Sequence, residues 1–164
     1  MAANHLEQLI AEWYEYQGYF IRRNVRVGKR PRGGWEAELD IVAFKPESMH
    51  LVHIEPSLDA YSWSHREERY KLKFEAGRKY IPSLFKGFAI PEEIDQMAVL
   101  VFAATTNRTE LAGGRIVLLP DLLEQMFTML KELSISRKIV DEQYPLLRTL
   151  QFVSEYRKRL FGVP

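Results

Sequence analysis

Two short runs of β-forming residues, each carrying an acid, constrain this chain more than any other stretch. The first is Glu38-Leu39-Asp40-Ile41-Val42-Ala43-Phe44 and the second is Leu51-Val52-His53-Ile54-Glu55-Pro56-Ser57. Between them Lys45-Pro46-Glu47-Ser48-Met49-His50 holds Pro and Ser and reads as a hairpin connection. A carboxylate set in an apolar strand is costly unless it is paired or binds a metal. Asp40 and Glu55 therefore need a reason, and the rest of the chain reads as the scaffold that holds them.

The length of 164 residues suits one domain with a sizeable core. With 46% hydrophobic and 27% charged residues the composition is that of an ordinary globular protein. No apolar run reaches the ~18 residues of a membrane span, so no membrane association is expected. The chain opens on an amphipathic pattern with Glu7 and Glu12, unlike a signal or transit peptide. The absence of cysteine excludes a disulfide framework and a thiolate zinc site, and the expected location is intracellular, in the cytoplasm. A net charge of +1 does not mark a nucleic-acid binder, but the placement of charge is more informative. Arg22, Arg23, Arg26, Lys29, Arg30 and Arg32 fall in one window with no acid among them. Its 28–34 segment, Gly-Lys-Arg-Pro-Arg-Gly-Gly, reads either as a phosphate-contacting loop or as a solvated hairpin turn.

The periodicity predicts a helix over 4–17, with Leu6, Leu9, Ile10, Trp13 and Gln17 in one stripe, Asn4 as cap and Gly18 as stop. Glu7 lies at the edge of that stripe and, on helix grounds alone, is a first-turn acid facing the helix dipole. A strand follows over 19–27. After the two acidic strands a helix is expected from Ser62 or Ser64 to Tyr80, with Ser64 and Glu67 fitting a capping box. Tyr70, Phe74, Gly77 and Ile81 mark its buried face, Lys73 lies beside them, and Pro82 closes it. Residues 97–104 read as a buried strand, 105–109 as polar loop and 115–119 as another strand. Helices are expected over 121–133 and 142–160. The order α-β-β-β-α-β-β-α-α gives an α/β fold, a mixed sheet flanked by helices with two additional C-terminal helices. The expectation is a single domain over 1–164, with a core of about 1–120 and a helical extension over about 121–164.

Alternate residues of a strand share a face, which groups Glu38, Asp40 and Val42 on one strand and His53, Glu55 and Ser57 on the next. If the strands are neighbours, Asp40 and Glu55 can converge on a hard cation such as Mg²⁺, or Mn²⁺. Ion pairing of both acids with nearby arginines is the other reading, and spacing leaves both open.

This arrangement resembles the PD-(D/E)xK nuclease superfamily, in particular its restriction-endonuclease-like and archaeal Holliday-junction-resolvase members. Those proteins open with a helix bearing a glutamate and ending at a glycine, as Glu7 and Gly18 do here. An aspartate in an apolar strand follows, matched by Asp40, and then a strand ending in Glu-x-Lys, where this chain has Glu55-Pro56-Ser57. The resemblance covers about the first 120 residues and rests more on the order of elements than on the letters. It implies a restriction-endonuclease-like fold and divalent-metal-dependent hydrolysis of DNA. Asp40 and Glu55 would hold Mg²⁺, and Glu7 would hold a metal-bound water or a second ion.

The departure is Ser57, which cannot supply the charge of the family's lysine. Some members draw that lysine from the following helix, and Lys73 is the candidate here; its other reading is a surface lysine with a buried stem. His53 reads as a metal ligand or base, or as a hydrogen-bonded strand histidine. Glu38 reads as an acid supporting the site or as an arginine partner. The basic window from Arg22 to Arg32 would grip the DNA backbone. The competing expectations are a DNA-binding module of the same fold that does not cut, and a structural subunit of a larger nuclease complex. A homodimer is compatible with each.

Overall fold

The computed structural model describes residues 4–103 and 107–162. The end of the expected strand at Ala104, and Thr105 and Thr106 of the expected loop, lie outside the described residues. The chain divides into two compact units, one of residues Gly18–Leu119 and one of Met1–Gln17 with Pro120–Pro164.

The first unit is built on a six-stranded mixed sheet in the order β1-β2-β3-β4-β6-β5. Its strands are β1 (Phe20–Lys29), β2 (Trp35–Lys45), β3 (His50–Ser57), β4 (Asp95–Leu100), β5 (Glu110–Leu111) and β6 (Gly114–Leu118). β1, β2 and β3 form an antiparallel meander, while β3 pairs with β4 and β4 with β6 in parallel. The parallel step from β3 to β4 needs a crossover, and helix α2 (Trp63–Leu84) supplies it. Between β2 and β3 the turn at Pro46–Ser48 ends on Met49 in the left-handed region. β5 and β6 are joined through Ala112 and Gly113, both at positive φ, as a tight hairpin demands.

Arg66, Tyr70, Phe74, Gly77 and Ile81 recur every three or four residues along α2 and are its buried residues. Phe74 is fully buried with Tyr70, Ala98, Leu100 and Leu111, and Ile81 with Val25, Val27, Leu39, Val42, Phe44 and Leu51. The cap is Ser62, whose hydroxyl accepts from the His65 amide, and not Ser64. Nor does the helix stop at Pro82. The proline sits inside the last turn, where it removes only one hydrogen bond, and the helix ends two residues later at Leu84.

The second unit holds α1 (His5–Tyr16), α3 (Leu119–Leu130, whose first residue belongs to the sheet unit), α4 (Pro145–Glu155) and α5 (Arg157–Phe161). Asn4 caps α1 by accepting from the Leu6 and Glu7 amides, and Gly18 follows the helix at a φ of 90°. The single helix expected over 142–160 is two, broken at Tyr156, which closes α4 and opens α5. Glu12 is buried here, and its Oε2 accepts from the amides of Leu146 and Leu147, 2.9 Å each, at the start of α4. That is a buried helix cap supplied from another helix.

Candidate active site

The last paired residues of β2 and β3 are Ile41 and Ile54. One step further along the same register Asp40 stands opposite Glu55, at the point where the two strands part. On the other side of β2 the facing position of β1 is Asn24, which adopts a φ of 52° and interrupts the ladder between Arg23↔Ile41 and Val25↔Leu39. On the β3 side the Asp40 amide donates to a side chain, Glu55 Oε1, at 3.1 Å. Simple alternation does not carry through this point, since Leu39 and Val42 belong to the same core cluster.

Lys73 reaches this pair from α2. Its Nζ lies 2.9 Å from Asp40 Oδ1 and 2.8 Å from Glu55 Oε2, and it donates to the Glu38 carbonyl at 2.6 Å. Two carboxylates facing one ammonium leave one negative charge in excess, in a place where burial already disfavours charge. Burial first, and then the neighbouring Glu55, push the Asp40 carboxyl up to about 7 in spite of Lys73. Burial acts in the opposite sense on Lys73, but Glu55 and Asp40 outweigh it and raise its pKa. Lys73 is therefore an ammonium at neutral pH, able to donate hydrogen bonds and stabilise negative charge but not to abstract a proton.

These groups open into a cleft of about 290 Å³ lined by residues of β2, the end of β3 and one face of α2. Asp40, Glu55, Ser57 and Lys73 line it, together with Arg69 and Tyr70. Arg69 stands one helical turn before Lys73, is ion-paired to Asp59 and lies 5.2 Å over the Tyr61 ring. The Tyr70 hydroxyl donates to the Glu55 carbonyl at 3.0 Å, fixing the backbone of β3 at the acid. The Ser57 hydroxyl accepts from the Asp59 amide, which occupies it in shaping the chain after β3.

The other candidates fall in distinct places. Glu38 lines the cleft, but its carboxylate is held by Arg26 Nε at 3.0 Å, the arginine partnership that was one of its two readings. His53 is fully buried with both ring nitrogens engaged, to Glu55 Oε1 at 2.8 Å and to Gln96 Nε2 at 3.1 Å. This leaves neither nitrogen for a metal or for a base at the cleft, and of its two readings it takes that of a hydrogen-bonded strand histidine. Glu7 belongs to the helical unit, where Asn4 Nδ2 donates to its Oε1. Arg22, Arg23, Arg26 and Lys29 are exposed along the edge strand β1, and Arg30 and Arg32 in the turn that follows.

Arg69, Gln96 and Arg78 are the site residues that sequence reasoning missed. For Arg69 a signal existed, because a cation four residues before Lys73 shares its helix face. Gln96 and Arg78 had none, their contacts being made only once β4 and α2 are packed.

The donor set fits a small hard cation. It is all oxygen, two carboxylates face one another, and an ammonium sits between them where their proximity demands positive charge. Among the described residues no group of three or more His, Cys, Asp and Glu is placed to hold a metal ion. Two protein carboxylates, with water and substrate completing the shell, is a donor count that suits Mg²⁺. No described helix is long and apolar enough to cross a membrane. No family model, curated protein or solved structure matches this chain.

Proposed function

We propose that this chain is a divalent-metal-dependent DNA endonuclease of restriction-endonuclease-like fold, hydrolysing phosphodiester bonds in the cleft of Asp40, Glu55 and Lys73. The observation that carries the reading is the contact of Lys73 Nζ with both carboxylates. That contact supports a role for this helix lysine in place of the one the Glu-x-Ser strand lacks. The same order of elements, an aspartate strand, a glutamate strand and a crossover helix, supports the fold assignment.

Asp40 and Glu55 would hold Mg²⁺ or Mn²⁺. When bound, that ion supplies Lewis-acid neutralisation of the phosphate oxygens and activation of water. Lys73, already charged, orients the attacking water by hydrogen bonding and stabilises charge gathering on the phosphoryl group. Arg69, at the cleft wall, would offer a second cation to a neighbouring phosphate. The exposed cations of β1 and its turn extend the positive surface along the backbone, and the Arg26–Glu38 pair links that strand to the cleft. The cleft volume is at the lower end of what small-molecule sites occupy, which suits a phosphate of a longer chain better than an enclosed metabolite.

The test is cleavage of supercoiled plasmid and branched oligonucleotides by wild type and Asp40→Ala in Mg²⁺, in Mn²⁺ and in chelator. Metal-dependent cutting by wild type alone supports the reading. DNA binding without cutting in either metal replaces it with the non-catalytic module. Replacing Arg22, Arg23 and Arg32 singly by Ala is expected to weaken binding about equally for all DNA sequences. Each loss should lower the salt slope of binding by about 1.

A further inference from the structure

Behind the cleft, three side chains form a buried chain that ends on Glu55. Glu55 is 2% exposed, His53 is 0% and Gln96 is 6%, so each polar atom there needs a partner inside the protein. The carbonyl of Phe74, which can only accept, lies 2.9 Å from Gln96 Nε2, and Arg78 Nη1 donates to Gln96 Oε1. These two contacts fix which end of the amide faces which way. Gln96 Nε2 must then donate to His53 Nδ1, so the proton of a neutral imidazole sits on Nε2 and is donated to Glu55 Oε1. With the Asp40 amide also donating to Oε1, that oxygen is occupied twice from behind, and Oε2 is the one presented to Lys73.

The packing is built around this relay. Gly77 of α2 faces the ring, and a Cβ there would overlap His53 Nδ1 and Gln96 Nε2. The ring of Phe74 meets that of His53 edge to face at 5.5 Å. The histidine is thus clamped by α2, β4 and its own strand, with no freedom to turn.

We infer that His53 is a positioning residue: locked as the Nε2–H tautomer by Gln96 and Arg78, it holds Glu55 Oε1 so that Oε2 alone is offered to a cation in the cleft. The inference rests on the proposed metal site for its consequence, but the hydrogen-bond relay exists without it. Partners of this kind that orient a metal-binding carboxylate are worth about 10-fold to 100-fold in metal affinity.

Two measurements separate the relay from the metal reading. In the metal-free wild type, nitrogen-15 shifts of the His53 ring should show a neutral imidazole protonated at Nε2. A ring protonated at Nδ1, or at both nitrogens at neutral pH, overturns the inference whatever the protein does with metals. Calorimetric titration with Mn²⁺ should then give wild-type binding, a loss of about 10-fold to 100-fold in His53→Leu, and a much smaller loss in His53→Gln, whose amide can replace the Nε2–H donor. Equal Mn²⁺ affinity in wild type and a folded His53→Leu overturns the positioning role. No Mn²⁺ binding by wild type overturns the metal reading itself and, with it, the consequence drawn for Glu55. Should His53→Leu not fold, Gln96→Leu serves in its place. It removes the tautomer lock while keeping the ring, and is expected to weaken Mn²⁺ binding; unchanged affinity in that variant overturns the inference.

Discussion

The ammonium of Lys73 satisfies two carboxylates and a backbone carbonyl at once, so its removal leaves Asp40 and Glu55 facing each other with no counter-charge. Lys73→Met should therefore lower stability by about 1–3 kcal/mol in urea titrations of the metal-free protein. Mg²⁺ should recover part of that loss, because a cation bound only by the folded state stabilises it by mass action. Loss without recovery would mean the two acids are a structural pair only. Asp40, Glu55 and Lys73 were legible in the sequence because each breaks a local pattern, the acids interrupting apolar strands and the lysine bordering an apolar helix stripe. Gln96 broke none: a polar residue at the start of a strand looks like a surface residue until the amide of β4 meets the ring on β3.

Elements are held in register by a few specific contacts, and each can be weighed. Gly77 lets α2 approach β3 at His53, so Gly77→Ala should destabilise by about 1–3 kcal/mol through overpacking. Set against the ~1 kcal/mol of helix propensity gained, the net loss is up to about 2 kcal/mol, and a stabilised variant would show that α2 stands further from the sheet. β4 is tied to β6 by Asp95, which Arg115 grips with two hydrogen bonds of 2.8 and 2.9 Å and which His50 also meets. Burial would raise the Asp95 carboxyl, but Arg115 and then His50 more than offset it and hold it below the ordinary range. A depressed carboxylate contributes stability that is full above its unfolded value of about 3.9 and is lost as pH falls through its lower native value. Asp95→Asn should thus cost about 1 kcal/mol at neutral pH, the partners being half exposed, and the deficit should close in acid. A deficit that persists in acid would assign it to packing. In the helical unit, Glu12→Ala would strand the Leu146 and Leu147 amides and cost about 1–3 kcal/mol in thermal or urea unfolding, with Glu12→Gln milder. β2 begins three residues before its expected start, at Trp35, and α2 runs four residues past its expected end, to Leu84. α1 and β3 were read nearly to their ends, the one from its apolar stripe and Asn4 cap and the other from its run of β-formers. The helix break at Tyr156 and the two-residue β5 were not, one depending on local backbone geometry and the other on pairing with β6.

For the whole molecule, the α/β class followed from the order of elements, because a crossover helix between two apolar strands demands a parallel pair. The candidate site was legible only to the extent that acids and a lysine could be assigned to elements that pack together. What sequence could not supply was the register that sets Asp40 opposite Glu55, which the ladder from Lys45↔His50 to Ile41↔Ile54 fixes only once the two strands pair. We propose that this meeting of two acids and one lysine cuts DNA with the aid of a metal. The most direct measurement is single-turnover cleavage of plasmid DNA in Mg²⁺ by wild type and Lys73→Ala, with DNA affinity measured alongside. Cutting by wild type is expected, with a rate lowered at least about 100-fold in the variant and affinity little changed, as for loss of a donor to transition-state charge. A wild type that binds DNA but leaves it intact in Mg²⁺ and Mn²⁺, or a Lys73→Ala variant that cuts as fast as wild type, would contradict it.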